Sequence, residues 1–185
     1  MNQYHQSDKQ VIIAQLLCFV LASLLGFSAD LFNQNFAPIL YKFVDAIFIT
    51  GMILIAMKLA REGWDMPAAG FTILSIAWGA FFLAKDFQKQ QVGHDILASS
   101  FYFVLPSMIL IVFYKRFPLF IKFITLITIV PSLIGLIYTK IGVTNEYYDI
   151  WRKVSYQSVH IASLFWAFFF YIDYKRSQPK KQNKG

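Results

Sequence analysis

QVIIAQLLCFVLASLLGFSA, residues 10–29, runs from Lys9 to Asp30 without a charged side chain. Twenty helical residues at 1.5 Å each reach about 30 Å, the thickness of a bilayer's hydrocarbon core. The stretch exceeds the ~7–15 residues of a signal-peptide apolar region, and no small-residue cleavage pattern follows it. It is therefore expected to stay as a first membrane anchor.

Charges punctuate the rest of the 185-residue chain at similar intervals. Uncharged runs of 19 residues lie between Asp65 and Lys85, between Asp95 and Lys115, and between Lys153 and Asp173, with one of 17 between Lys122 and Lys140. Each fits a transmembrane helix. A remaining run of only 12 residues separates Asp45 from Lys58, too short to cross unaided. A helix from about Ile39 to Ala60 solves the length problem if Lys58 snorkels outward, but it leaves Asp45 about one and a half turns inside the boundary. The pattern predicts an all-α, polytopic membrane protein: a bundle of six transmembrane helices over residues 1–174, followed by a basic, disordered cytoplasmic tail at 175–185.

Composition agrees. Hydrophobic residues make up 57% of the chain and charged residues 15%, well below the ~25% of soluble domains. The net charge of +7 is spread singly between apolar runs and gathered only in the tail, which fits lipid headgroups and excludes a nucleic-acid-binding patch. Cys18 is the only cysteine, so no intrachain disulfide or cysteine-based zinc cluster forms. With both termini cytoplasmic, eleven basic residues fall inside and six outside, a bias supplied by the tail.

Short connections are expected at Asn33–Pro38, Arg61–Asp65, Phe87–Gly93 and Lys115–Pro118. A longer one is expected at Ile141–Lys153, whose Tyr147, Tyr148 and Trp151 suit headgroup level. Asp65 is expected to cap the third helix, with Pro67 in its first turn. Pro106 and Pro131 are expected to kink the fourth and fifth helices and to free carbonyls near Tyr102 and Ile127. Small or hydroxyl residues mark candidate helix interfaces: Ala14, Cys18, Ala22, Gly26 and Asp30; Thr72, Ser75 and Gly79; and Thr125, Thr128, Ser132, Gly135 and Thr139.

Alternation of the helices brings Asp30, Asp45, Asp86, His94, Asp95 and His160 to one end of the bundle. His160 lies seven residues beyond Lys153, about 10 Å along the helix, and shares a face with Tyr156 and Ser163. Intramembrane ionisable residues are functional candidates by default, so Asp45 and His160 become the centre of a candidate pocket between the second, fourth and sixth helices. Asp95, Ser99 and Tyr102, at i, i+4 and i+7, are expected on the adjoining face of the fourth helix.

Three functions remain open. On the first reading, Asp45 pairs with His160 or Lys42 purely to fix packing, as in an assembly protein with a membrane partner. Asp45, His160, Tyr156, Asp95, Ser99 and Tyr102 form, on a second reading, a pocket that binds or transports a small solute, an ion or protons. On the third, a metal-dependent membrane hydrolase uses His94, His160 and Asp45 or Asp95 as ligands, a metal ion then being the cofactor. No HExxH, GxSxG, Walker A or dinucleotide motif supports catalysis.

Overall fold

The computed structural model describes residues 2–31, 36–87, 91–141 and 146–177, which are helical apart from short turns and contain no strand. Seven α-helices follow in order: α1 Asn2–Ser28, α2 Ala37–Arg61, α3 Asp65–Ala84, α4 Gln91–Val112, α5 Leu119–Ile127, α6 Ile129–Lys140 and α7 Glu146–Ser177. Short 3₁₀ turns, Ala29–Leu31 and Lys85–Phe87, extend α1 and α3.

Among the described residues, five segments are long and apolar enough to cross a bilayer: Lys9–Ser28, Ala37–Arg61, Asp65–Phe87, Asp95–Val112 and Leu119–Tyr138. That is one fewer than six. The exception is α7, whose middle holds Ser155, Gln157, Ser158, His160 and Ser163. Two boundaries also differ from expectation. Residues 146–153 contain no glycine or proline, so α7 starts at Glu146 and absorbs most of the expected 141–153 loop. At its other end α7 continues to Ser177, making Lys175 and Arg176 helical, while residues 178–185 lie outside the described residues.

The two prolines act differently. Pro106 lies inside a continuous α4, whereas Pro131, which offers no amide to the Ile127 carbonyl, follows a break at Thr128 that separates α5 from α6. Around that break the hydroxyls turn back on the backbone. Thr125 donates to the Ile121 carbonyl (2.8 Å), Thr128 to Thr125 (2.7 Å) and Ser132 to Thr128 (3.0 Å). The same face carries bonds to α7: Ser132 to Ser155 at 2.7 Å, and the Trp166 indole donating to Thr125 Oγ1 at 2.9 Å.

Between α2 and α3 the chain reverses through a Schellman turn. Gly63, at φ +77°, donates to the Ala60 carbonyl and Trp64 donates to Leu59. Asp65 is the first residue of α3 rather than its cap, because Trp64 occupies the cap position. In that first turn the carboxylate still complements the helix dipole.

Neighbouring helices pack in a closed ring. α1 lies on α2, α2 on α3, α3 on α4, α4 on α5 and α6, α6 on α7, and α7 returns to α1. Close approaches use small residues. A Cβ on Gly51 would sit 3.0 Å from Cys18 Cβ, and one on Gly70 would sit 2.9 Å from the Ser107 carbonyl and the Ile111 amide. Gly79, expected on an interface, has no neighbour there within 4 Å, and Thr72 is exposed; α3 meets α4 through Gly70 instead. Inside the ring lie Phe48, Met52, Phe71, Trp78, Phe101 and Trp166. Outside, Leu24, Phe43, Met57, Phe113, Phe123 and Ile137 are exposed, an apolar surface far more extensive than soluble monomers show.

Candidate functional site

α2 turns one stripe inward: Val44, Asp45, Phe48, Met52 and Ile55 are all buried, at the spacing of one helix face. Asp45 is the charged member, and none of its surface reaches solvent. Its partner comes from the end of α3. Lys85 forms an ion pair with the Asp45 carboxylate through Oδ2 and donates to the Tyr41 carbonyl at 3.0 Å. The other carboxylate oxygen accepts the Tyr156 hydroxyl of α7 at 2.7 Å. Three helices are thereby joined at one carboxylate, and a buried charge is stable only when so paired.

The surroundings are aromatic. The Lys85 ammonium lies 5.2 Å from the Tyr41 ring centre and 5.6 Å from that of Tyr156, within cation–π range. Trp78 stacks on Tyr156 at 5.7 Å, and Phe81 meets Tyr156 edge-on at 6.2 Å.

One turn along α7, His160 is also wholly buried. Its ring faces Phe48 at 4.5 Å and Tyr156 at 4.6 Å, and neither ring nitrogen has a hydrogen-bond partner. Gly26 of α1 lies alongside it, where a Cβ would sit at ordinary contact distance, 3.9 Å from Nε2. Its backbone carbonyl accepts from Ser23 at 3.4 Å, fastening α7 to α1.

Asp45, Tyr156 and His160 thus come together through Tyr156, and His160 is not the group that pairs with Asp45. Nor is Lys42, which pairs with Asp86 at the next rung of the α2–α3 hairpin. Asp95, Ser99 and Tyr102 do share a face of α4, but all three are exposed, Tyr102 by 49%; Ser99 donates to the Asp95 carbonyl at 2.8 Å. α4 turns Leu97, Phe101 and Val104 inward instead. α2 and α7, the expected second and sixth spans, do enclose the centre, with the end of α3 in place of α4. Among the described residues no three His, Cys, Asp or Glu side chains converge to hold a metal ion. The His94 side chain lies outside the described residues.

Charge spacing marks Lys85 only as the end of an apolar run, though the hairpin contains the signal of its pairing. Asp45 lies 16 residues before Arg61, the end of α2, and Lys85 lies 20 residues after Asp65, the start of α3. Four residues of offset amount to about 6 Å, within the reach of a lysine stem.

No protein-family model matches the chain, and comparison with curated proteins and with solved structures likewise gives no match.

Proposed function

We propose that the chain is a six-span integral membrane protein with both termini in the cytoplasm, and that Asp45, Lys85, Tyr156 and His160 form a centre that binds a small polar solute or ion for passage or sensing. The sixth span is α7. Its 32 residues reach about 48 Å, and its polar Ser155, His160 and Ser163 are buried against other helices, away from lipid. The broad apolar exterior and the basic C-terminal residues support the membrane and orientation parts of the reading.

The observation that carries the functional part is His160: an imidazole with two unpartnered nitrogens, beside a fully buried carboxylate, deep in an apolar helix bundle. Groups so costly to bury mark solute and ion pathways. A packing lock is the second reading, favoured by the occupation of both Asp45 oxygens by Lys85 and Tyr156.

Two measurements test the proposal. Single cysteines at Phe36, Phe87 and Ile141, in a Cys18→Ala background, should all react with an impermeant reagent on intact cells. Labelling only after lysis inverts the orientation, and disagreement among the three refutes six spans. Asp45→Asn and His160→Gln should lose solute binding in the fraction that folds; normal binding with reduced yield leaves the packing lock.

A further inference from the structure

We propose that Lys85 is a tethered cation sitting in a binding site for a primary ammonium group, so that the solute of this centre is a small protonated aliphatic amine and Lys85 is its intramolecular competitor. The inference rests on the solute-binding reading above and gives it a substrate class and a means of regulation.

The site meets the needs of R–NH₃⁺ one by one. A primary ammonium has three N–H donors and no acceptor. Here the Asp45 carboxylate takes one and the Tyr41 carbonyl takes another at 3.0 Å. The faces of Tyr41 and Tyr156 supply the cation–π walls, at 5.2 and 5.6 Å. Tyr156 completes the arrangement from α7 by holding the second carboxylate oxygen at 2.7 Å, which fixes the first towards the ammonium. None of these contacts involves the rest of the lysine.

Lysine's own position makes it displaceable. The Asp45 side chain is fully enclosed, whereas Lys85 enters from the 3₁₀ turn at the end of α3 with 14% of its side chain exposed. The stem reaches the cage from the rim, and rotation of that one side chain empties it. An unpaired carboxylate is untenable in this setting, so the lysine leaves as another cation enters. Lys42, one turn before Asp45 on α2, is held by Asp86. Tyr41 and Tyr156, edge to face with centres 6.1 Å apart, bound a space suited to a terminal CH₂–NH₃⁺ group. Quaternary ammonium ions are bulkier and have no N–H for the Tyr41 carbonyl. Simple alkylamines, with pKa values near that of lysine, are protonated at neutral pH.

The test is equilibrium binding of radiolabelled ethylammonium to the full chain in nanodiscs. Wild type should bind it saturably but weakly. Lys85→Ala should bind at least about tenfold more tightly, because a tethered competitor acts at millimolar or higher effective concentration. Lys85→Ala with Asp45→Asn should lose the site, and tetramethylammonium should compete poorly. Lys85→Gln, which removes the cation but leaves the carboxylate an amide N–H donor, takes the place of Lys85→Ala if that variant does not fold. Equal affinities in wild type and the Lys85 variants overturn the tethered-competitor inference, and binding by the variants alone overturns the ammonium as the solute of the native centre. Labelled carboxylates and neutral polyols are run in parallel on wild type and His160→Gln. If one of these binds wild type, is lost in His160→Gln, and no amine binds, the ammonium inference falls and the solute-binding reading survives. If no solute binds saturably, both fall.

Discussion

The two ends of the bundle solve opposite problems with the same residue types. At the Asp45 end the charges lie inside, with Lys85, Asp45 and Tyr156 tying α3, α2 and α7 together beneath aromatic walls. At the Tyr114 end the aromatic residues lie inside, and Lys58, rather than snorkelling outward, is buried and pairs with Glu62 one turn along its own helix. Tyr114 packs on Trp64, Phe117 and Phe170, with ring centres 5.0 to 5.5 Å away, while Arg116 and Asp173 pair at 3.2 Å in partly exposed positions. Burial pushes the Tyr114 phenol above its usual range, so it stays neutral. One end therefore depends on charge compensation and the other on shape, and substitutions should separate them.

The largest effect is expected at Asp45. Asp45→Leu leaves Lys85 buried without its partner, which should lower stability by about 3–5 kcal/mol, while Asp45→Leu with Lys85→Met should recover most of the loss. Reversible unfolding in mixed micelles measures both. A double variant no better than the single would show that the pair is not the source of the cost. Next, Tyr156→Phe removes one hydrogen bond to a charged group and should cost about 1.5–3 kcal/mol in the same assay. A cost near zero would mean that Lys85 alone holds the carboxylate.

At the other end the sensitive feature is a backbone approach. Gly70→Ala places a Cβ 2.9 Å from backbone atoms of α4, and overpacking of this kind should cost about 1–3 kcal/mol. Gly79→Ala, with open space around it, should be neutral or slightly stabilising. Equal effects at the two glycines would remove the claim that α3 meets α4 through Gly70.

What the sequence discloses follows from the helix length that a bilayer span demands. Charges spaced about 20 residues apart mark helix ends, so the positions of α1 to α4 can be read along the chain, and Asp45 is recognisable because it interrupts such a run. Which face points inward is a different matter. Asp95, Ser99 and Tyr102 align as periodicity requires, but lipid accepts apolar side chains as readily as a core does, so Leu97, Phe101 and Val104 do not announce themselves as the inner face. For α7 the ambiguity runs the other way: the polar residues that hold it in the ring reduce its resemblance to a membrane span. The pairing of Asp45 with Lys85 needs the register of the α2–α3 hairpin, which Gly63 and the Schellman turn set.

The smallest effect should come from the rim, and it is the control for the others. Arg116 and Asp173 join the α4–α5 connection to α7, and the Arg116 guanidinium also lies 6.0 Å from the Trp64 ring centre. Both side chains are more than 30% exposed, so water already solvates them and salt screens their attraction. Exposed pairs of this kind contribute about 0.2–1 kcal/mol. Asp173→Asn should therefore shift the unfolding midpoint little, with the remaining difference fading as ionic strength rises. Asp45→Leu should keep most of its cost in high salt, because salt screens a buried pair far less than an exposed one. If Asp173→Asn cost as much as Asp45→Leu and resisted salt in the same way, burial would not be what distinguishes the two ends.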